Sequence, residues 1–227
     1  ALYILDPTNQ RPGVRRNTMT LIKKYKEYRR TGKRLNHKIM DACLSREVVM
    51  ASAELLGILH GETLIFESED ETSVLMDFAL NDYPVDNQNT IKLYRDTVGW
   101  KNEIEKEILD AHLASYTSLF KVTSISKAEC TLLMNDLLNN KEGIQLIDIH
   151  FSRSGVLGIL MFTRLISLKD FNMTSGVSFA FPGYLEQYLL RKYRVLSKKV
   201  KSDNEAVRRF VSFHNLSKRK GIEVEYR

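Results

Sequence analysis

"GVLGILMFTRLISL", residues 155–168, decides how this chain folds. Its apolar density suits either a buried helix or a strand covered on both faces, and periodicity alone does not separate the two. Its neighbours do. "SLFKVTSI" (118–125), "ECTLLMND" (129–136), "GIQLIDIHFS" (143–152) and "SGVSFAFPG" (175–183) are short and rich in β-branched or aromatic residues. The linkers between the runs, "SKA", "LLNNKEG", "RS" and "KDFNMT", are turn-forming. Five such runs predict a small antiparallel sheet or half-open barrel over residues 118–182, with Phe120, Val122, Leu132, Ile147, Leu160, Phe162 and Phe179 in its core.

Alternation is clearest in "IQLIDIHF" (144–151). Ile144, Leu146, Asp148 and His150 fall on one face, and Gln145, Ile147, Ile149 and Phe151 on the other. Asp148 and His150 are therefore a candidate acid/base or metal-holding pair. The plainer reading of two polar groups at a strand end is a surface hydrogen-bonded pair. Together, "SLFKVTSI", "CTLLMNDLLNN", "IQLIDIHFSRS" and "GILMFTRLISLKDFNMTSGVSFAFP" resemble a β module of uncharacterised bacterial proteins. Some of those proteins carry a cysteine-rich SEC-C zinc motif, which this chain lacks. The resemblance implies a fold and no activity, with Asp136-Leu137-Leu138 as a turn with apolar anchors.

Before residue 117 the pattern is helical. Leu21, Ile22, Tyr25 and Tyr28 form one apolar stripe of a helix that starts near Thr18 and ends at Gly32. A second helix runs from Asn36 or Ser45 to Leu59, with Val48, Val49, Leu55, Leu56 and Leu59 buried and Gly61 as its stop. "ETLIFES" (62–68) reads as a strand or edge. A short helix opens at Ser68 or Asp70 and ends before Pro84. One long helix is expected from Asn87 to Ser115, with Gly99 its weak point. Pro7, Pro12 and Gly13 make the first dozen residues an extended lead-in. Beyond Pro182 two further helices follow, then a short final strand, "IEVEY" (222–226). The expected class is α+β: a helical segment 1–116, a β module 117–182, and C-terminal helices 183–227 packing on either part.

The net charge of +6 conceals segregation. Residues 11–38 hold eleven basic groups against one acidic, residues 62–110 four against thirteen, and residues 184–227 twelve against five. Two basic ends flank an acidic middle. Either the ends fold against the middle, or they meet a polyanion. In the second case Lys23, Lys24, Arg29, Arg30, Lys33 and Arg34 are the expected phosphate contacts.

Familiar catalytic signatures are absent: no Walker A loop, dinucleotide fingerprint, His-Glu-x-x-His helix, Cys-x-x-Cys pair or Gly-x-Ser-x-Gly elbow. No two of the five histidines lie within four residues of one another, so no local metal pair, and no cofactor, is expected. His60 and His112 read as helix C-terminal residues that favour the dipole. "RRFVSFH" (208–214) is the sharpest catalytic candidate. Arg208 or Arg209 with His214 resembles the Arg-x4–6-His motif of HEPN-type helical ribonucleases, in which the cation holds the phosphate and the imidazole moves a proton. The plainer reading is an amphipathic helix with Val207, Phe210 and Val211 facing the core.

No apolar run reaches the roughly 18–20 residues of a membrane span, so no membrane partner is expected. The N-terminus lacks the pattern of a signal peptide. Cys43 and Cys130, far apart, read as free thiols of a reducing cytoplasm. These features describe a soluble, basic, non-catalytic binding or adaptor protein with a protein partner or self-association. Nucleic-acid binding (DNA or RNA) through the basic termini is the alternative, and a ribonuclease is the enzymatic one.

Overall fold

The computed structural model describes residues 12–86 and 88–222. Residues 1–11 of the lead-in expected over the first dozen, and the final strand apart from Ile222, lie outside the described residues, while Pro12 and Gly13, expected to be extended, open a helix. From Pro12 the chain is already helical, and α1 spans Pro12–Cys43. It passes straight through Gly32, where a stop was expected. The stripe Tyr25, Tyr28, Leu35 and Ile39 is buried on both sides of that glycine. Continuous packing of this kind outweighs the roughly 1 kcal/mol that an interior glycine costs a helix.

Ser45 caps α2 (Arg46–Leu56), its side chain accepting from the Val48 N–H at 3.3 Å. Gly57, at φ 69°, ends that helix four residues before the expected Gly61. Gly61 (φ 63°) instead turns a two-stranded hairpin, β1 (Leu59–His60) against β2 (Thr63–Leu64). His60 therefore lies exposed on a strand and not at a helix end. After α3 (Asp70–Asn81), the single long helix expected over 87–115 is two. These are α4 (Thr90–Thr97) and α5 (Glu103–Leu113). Gly99 at φ 78° breaks them, and Asn102 recaps the second by accepting from the Glu105 N–H at 3.0 Å.

The strands of the β module form as expected: β3 (Tyr116–Ser126), β4 (Thr131–Asp136), β5 (Lys141–Ile147), β6 (Leu160–Ser167) and β7 (Asn172–Phe181). The single core expected for it divides: Phe120, Val122 and Leu132 pack together, Leu160, Phe162 and the half-buried Phe179 pack with helices, and Ile147 packs in the α1 cluster. All pairings are antiparallel, in the order β5-β4-β3-β6-β7. The decisive run is thus a strand, buried at every position from Leu160 to Ile166. Its apolar density reflects cover on both faces. The sheet curls until its edge strands meet, and the Asn172 side-chain amide donates to the Gln145 carbonyl at 2.8 Å.

One face of the sheet forms its own core: Phe120, Val122, Leu132, Met134, Leu146, Met161, Leu165 and Ala180, closed by Phe151 of the short helix α6 (Phe151–Ser154). The other face shares a core with helices. Leu119, Leu160, Phe162 and Phe181 pack with Leu56 of α2, Phe78 of α3, and Phe210 and Phe213 of α8 (Glu205–Lys220). Phe162 and Phe213 stack with ring centroids 4.3 Å apart. A separate cluster joins α1, α4 and α5 to the β6–β7 turn, where Phe171 sits edge-on to Tyr25 and Tyr28. A 3-10 turn, Gly183–Leu185, leads from β7 into α7 (Glu186–Leu196), which packs on α8.

Candidate functional site

Helical phase sorts the cations of α1 into two sets. Lys24 pairs with Asp170 and lies over the Tyr28 ring. Arg29 donates to the Thr174 carbonyl at 2.7 Å and to the Tyr25 hydroxyl at 3.1 Å. Lys38 pairs with Glu105 at 2.6 Å. Lys23, Lys26, Arg30, Lys33 and Arg34 are exposed, and none of them has an acidic partner among the described residues. Their spacing of i, i+3, i+7, i+10 and i+11 places all five on one face as a largely cationic ridge about 16 Å long, which the exposed Glu27 shares. Met19 is the large apolar residue on that face, at its N-terminal end, and is 63% exposed.

Of the six expected phosphate contacts, Lys23, Arg30, Lys33 and Arg34 stand on this ridge, and Lys24 and Arg29 are turned into the protein. Lys26 belongs to the ridge and was absent from the expected set. The phase of residues 23, 26, 30, 33 and 34 is the sequence signal that finds it.

The two basic ends do not merge. α1 sits against α4, α5 and the β6–β7 turn, whereas α7 follows from the far end of β7. The acidic helices lie between them: α3 packs on α2, α4 and β7, and α4 and α5 pack on α1. Part of the charge is matched internally. Lys38 meets Glu105, the Tyr28 hydroxyl donates to Glu107 at 2.6 Å, and Lys218 of α8 meets Glu71 at 2.9 Å and Glu67 at 3.3 Å.

Asp148 and His150 are not strand neighbours, because β5 ends at Ile147. The Asp148 carboxylate accepts from the backbone N–H groups of His150 and Phe151, at 3.0 and 2.8 Å, and so fixes the start of α6. The His150 residue is exposed. On α8, Arg208 donates to the Ser202 carbonyl at 3.1 Å. Arg209 donates to the Thr117 carbonyl at 2.8 Å and pairs with Glu205. His214 is buried beside Phe179, with Nε2 4.0 Å from Glu71. Burial, helped by the neighbouring Lys218, pushes its pKa down to about 4, so the ring is neutral at pH 7. Arg209 ties α8 to the sheet, His214 faces α3, and Arg208 holds the segment that leads into α8.

Sequence reasoning passed over a buried polar network. Arg164, the cation interrupting the decisive apolar run, reaches Asp77 of α3 through Nε and Nη2, each 3.2 Å from Oδ2, and reaches Asp82 through Nη2. Asn81 donates to the Asp77 carbonyl at 2.9 Å, and its side-chain oxygen lies 2.9 Å from His112 Nδ1. Burial pushes Asp82 up to about 6 against the pull of Arg164, and pushes His112 down to about 4. The two aspartates outweigh the burial of Arg164 and keep it charged. His112, expected to serve a helix dipole, is a neutral member of this network. The signal was Asp77 inside the apolar helical stretch "VLMDFALN" (74–81), Asp82 directly after it, and one arginine inside an apolar strand.

No group of three or more potential ligands is placed to hold a metal among the described residues. An open groove of about 700 Å³ runs between α2 and α8, floored by Leu55, Tyr83, Leu196, Val200, Val207 and Val211. A family model described as a family of unknown function (DUF7986) matches residues 19–227. No curated protein and no solved structure matches the chain.

Proposed function

The chain belongs to that family of unknown function, and from its own geometry we propose a non-catalytic binding protein that grips nucleic acid along the outer face of α1. The observation that carries this reading is the sorting of the α1 cations. Of the eight from Lys23 to Lys38, three serve the fold, and five are left in a row on the solvent side without an acidic partner among the described residues. A row of point charges with Met19 as its apolar member suits phosphate oxygens. A tight protein interface relies instead on buried aromatic or apolar anchors. Lys and Arg at this spacing give affinity without reading sequence.

The candidate catalytic groups support the non-catalytic half of the reading. Arg209 serves the Thr117 carbonyl and Glu205, Asp148 serves a helix start, and His214 is buried and neutral. A second reading, an adaptor for a protein partner, is favoured by the apolar groove between α2 and α8.

The test is fluorescence anisotropy with short labelled DNA and RNA, single- and double-stranded, at two salt concentrations. Wild type is compared with the triple variant Lys23→Glu, Arg30→Glu, Arg34→Glu. Binding that weakens with salt, with the slope flattening by about 0.7–0.9 for each contact removed, is the expected result. Absence of binding, or binding that the triple variant leaves unchanged, would overturn the reading.

A further inference from the structure

At the other end of β7 the surface has a different chemistry. Tyr184 is 84% exposed, and Val156 and Leu157 are 64% exposed each, the highest values among large apolar side chains of the described residues. They come from two segments locked backbone to backbone. A Cβ added at Gly183 would fall on the Gly158 carbonyl oxygen, and the Gly158 N–H donates to the Val122 carbonyl at 2.9 Å. The apolar tips therefore rise from neighbouring stretches of backbone, the α6–β6 loop and the 3-10 turn.

From these tips α7 runs on with a solvent face unlike that of α1. Leu189 is its one fully buried residue, with Leu185, Tyr193 and Leu196 beside it on the inner side. Tyr188 is half-buried against the core, and Tyr184, Arg191, Val195 and Lys198 form the outward stripe, where Val195 is 54% exposed. Lys192, Arg194 and Lys199 flank it. None of these five cations forms a salt bridge among the described residues. Arg191 donates to the Gln187 carbonyl of its own helix, and Lys192 lies over the Tyr188 ring. The one acidic residue of the helix, Glu186, is paired with Lys121.

We infer that this face is a peripheral docking surface for an anionic lipid bilayer. No helix among the described residues is long and apolar enough to cross a membrane, so the attachment is by contact. Protruding Val156, Leu157 and Tyr184 enter the interfacial layer, and the α7 cations lie over the negatively charged headgroups. Charge complementarity selects an anionic surface. The aliphatic tips select lipid over nucleic acid, because valine and leucine offer no ring on which a base can stack. This inference is independent of the α1 reading: the two faces lie at opposite ends of β7.

The test is co-sedimentation of the purified chain with vesicles of phosphatidylcholine alone or with added phosphatidylglycerol, at low and physiological salt. Association with the anionic vesicles that weakens with salt is expected, with little on phosphatidylcholine. The pair Arg191→Glu, Lys198→Glu should lower the partition coefficient more than tenfold, given the contribution of each cation near such a surface. The pair Val156→Asp, Leu157→Asp should do likewise. Both pairs alter exposed residues, and an unchanged melting curve confirms the fold. The α1 triple variant should bind vesicles like wild type, so the two readings fail separately. The inference is overturned if anionic vesicles are not bound, if both pairs bind like wild type, or if the α1 variant removes the association. Loss of labelled RNA binding in the Arg191→Glu, Lys198→Glu pair, without vesicle association in wild type, would assign the face to nucleic acid and overturn it as well.

Discussion

Arg164 on β6 and Asp77 on α3 meet through two nitrogens on one oxygen, Nε and Nη2 each standing 3.2 Å from Oδ2, with both residues buried. This pair, completed by Asp82, ties the helical segment to the sheet across a distance of more than eighty residues in sequence. Breaking a buried ion pair on one side leaves the other charge uncompensated. Arg164→Ala should therefore lower the unfolding free energy by about 3–5 kcal/mol. Asp77→Asn and Asp82→Asn should each cost less than Arg164→Ala, because each leaves the guanidinium one carboxylate partner, and burial already pushes Asp82 up to about 6. Urea unfolding of the three variants measures the order. A milder effect for Arg164→Ala than for Asp82→Asn would contradict the network.

Acid sensitivity follows from the two buried imidazoles. His112 and His214 titrate at about 4 in the folded chain, below the 6.5 of an exposed histidine. The unfolded chain then binds more protons between these values, so stability falls as pH drops from 6.5 towards 4. Asp82 has the opposite sign: raised to about 6 from 3.8, it favours the folded state on acidification through that window. From pH 7 to pH 5 the imidazoles contribute a loss of roughly 2 kcal/mol each and Asp82 a gain of a little over 1, a net loss of about 2–3 kcal/mol. Urea titrations at the two pH values check the sign, and His214→Gln should reduce the difference.

The α1 stripe gives a packing prediction. Tyr25 is 5% exposed, packed edge-on to Phe171 and bonded to Arg29. Tyr25→Ala should cost about 2–4 kcal/mol, and Lys26→Ala, one residue on and exposed, less than about 0.5. Thermal melts of the two variants separate the faces of the helix.

The β module was legible because turn residues punctuate it and its strands alternate or run apolar. The α1 stripe was legible because its period is helical. What sequence alone misjudged were the glycines. Gly32 reads as a stop but lies within a packed stripe, whereas Gly57 and Gly99, both at positive φ, end helices where Gly61 and an unbroken helix were expected. A glycine permits a left-handed residue without requiring one, and only tertiary contacts decide. The Arg164 network was illegible for a related reason. Asp77, Asp82 and His112 are unremarkable in their own helices, and they acquire a role only when β6 brings a guanidinium to them.

The division of α1 cations into two sets predicts a double dissociation. Lys24 and Arg29 hold Asp170 and the Thr174 carbonyl, and Arg29 lies close over Gly176, whose φ of 109° bends β7 at that point. Reversing Arg29 to Glu would set a carboxylate against a carbonyl oxygen and remove the donor, so Arg29→Glu should lower the melting temperature by several degrees. Lys23→Glu, Arg30→Glu and Arg34→Glu alter side chains without an acidic partner among the described residues and should leave the melt within a degree or two. Nucleic-acid affinity should respond the other way: strongly to the ridge variants, and to Lys24→Glu only weakly, since that ammonium is already held by Asp170. Melting curves and anisotropy titrations on the same preparations give both readouts. If Lys24→Glu weakened binding as much as Arg30→Glu without disturbing the fold, the inward set would be functional and the sorting by helical phase would lose its meaning.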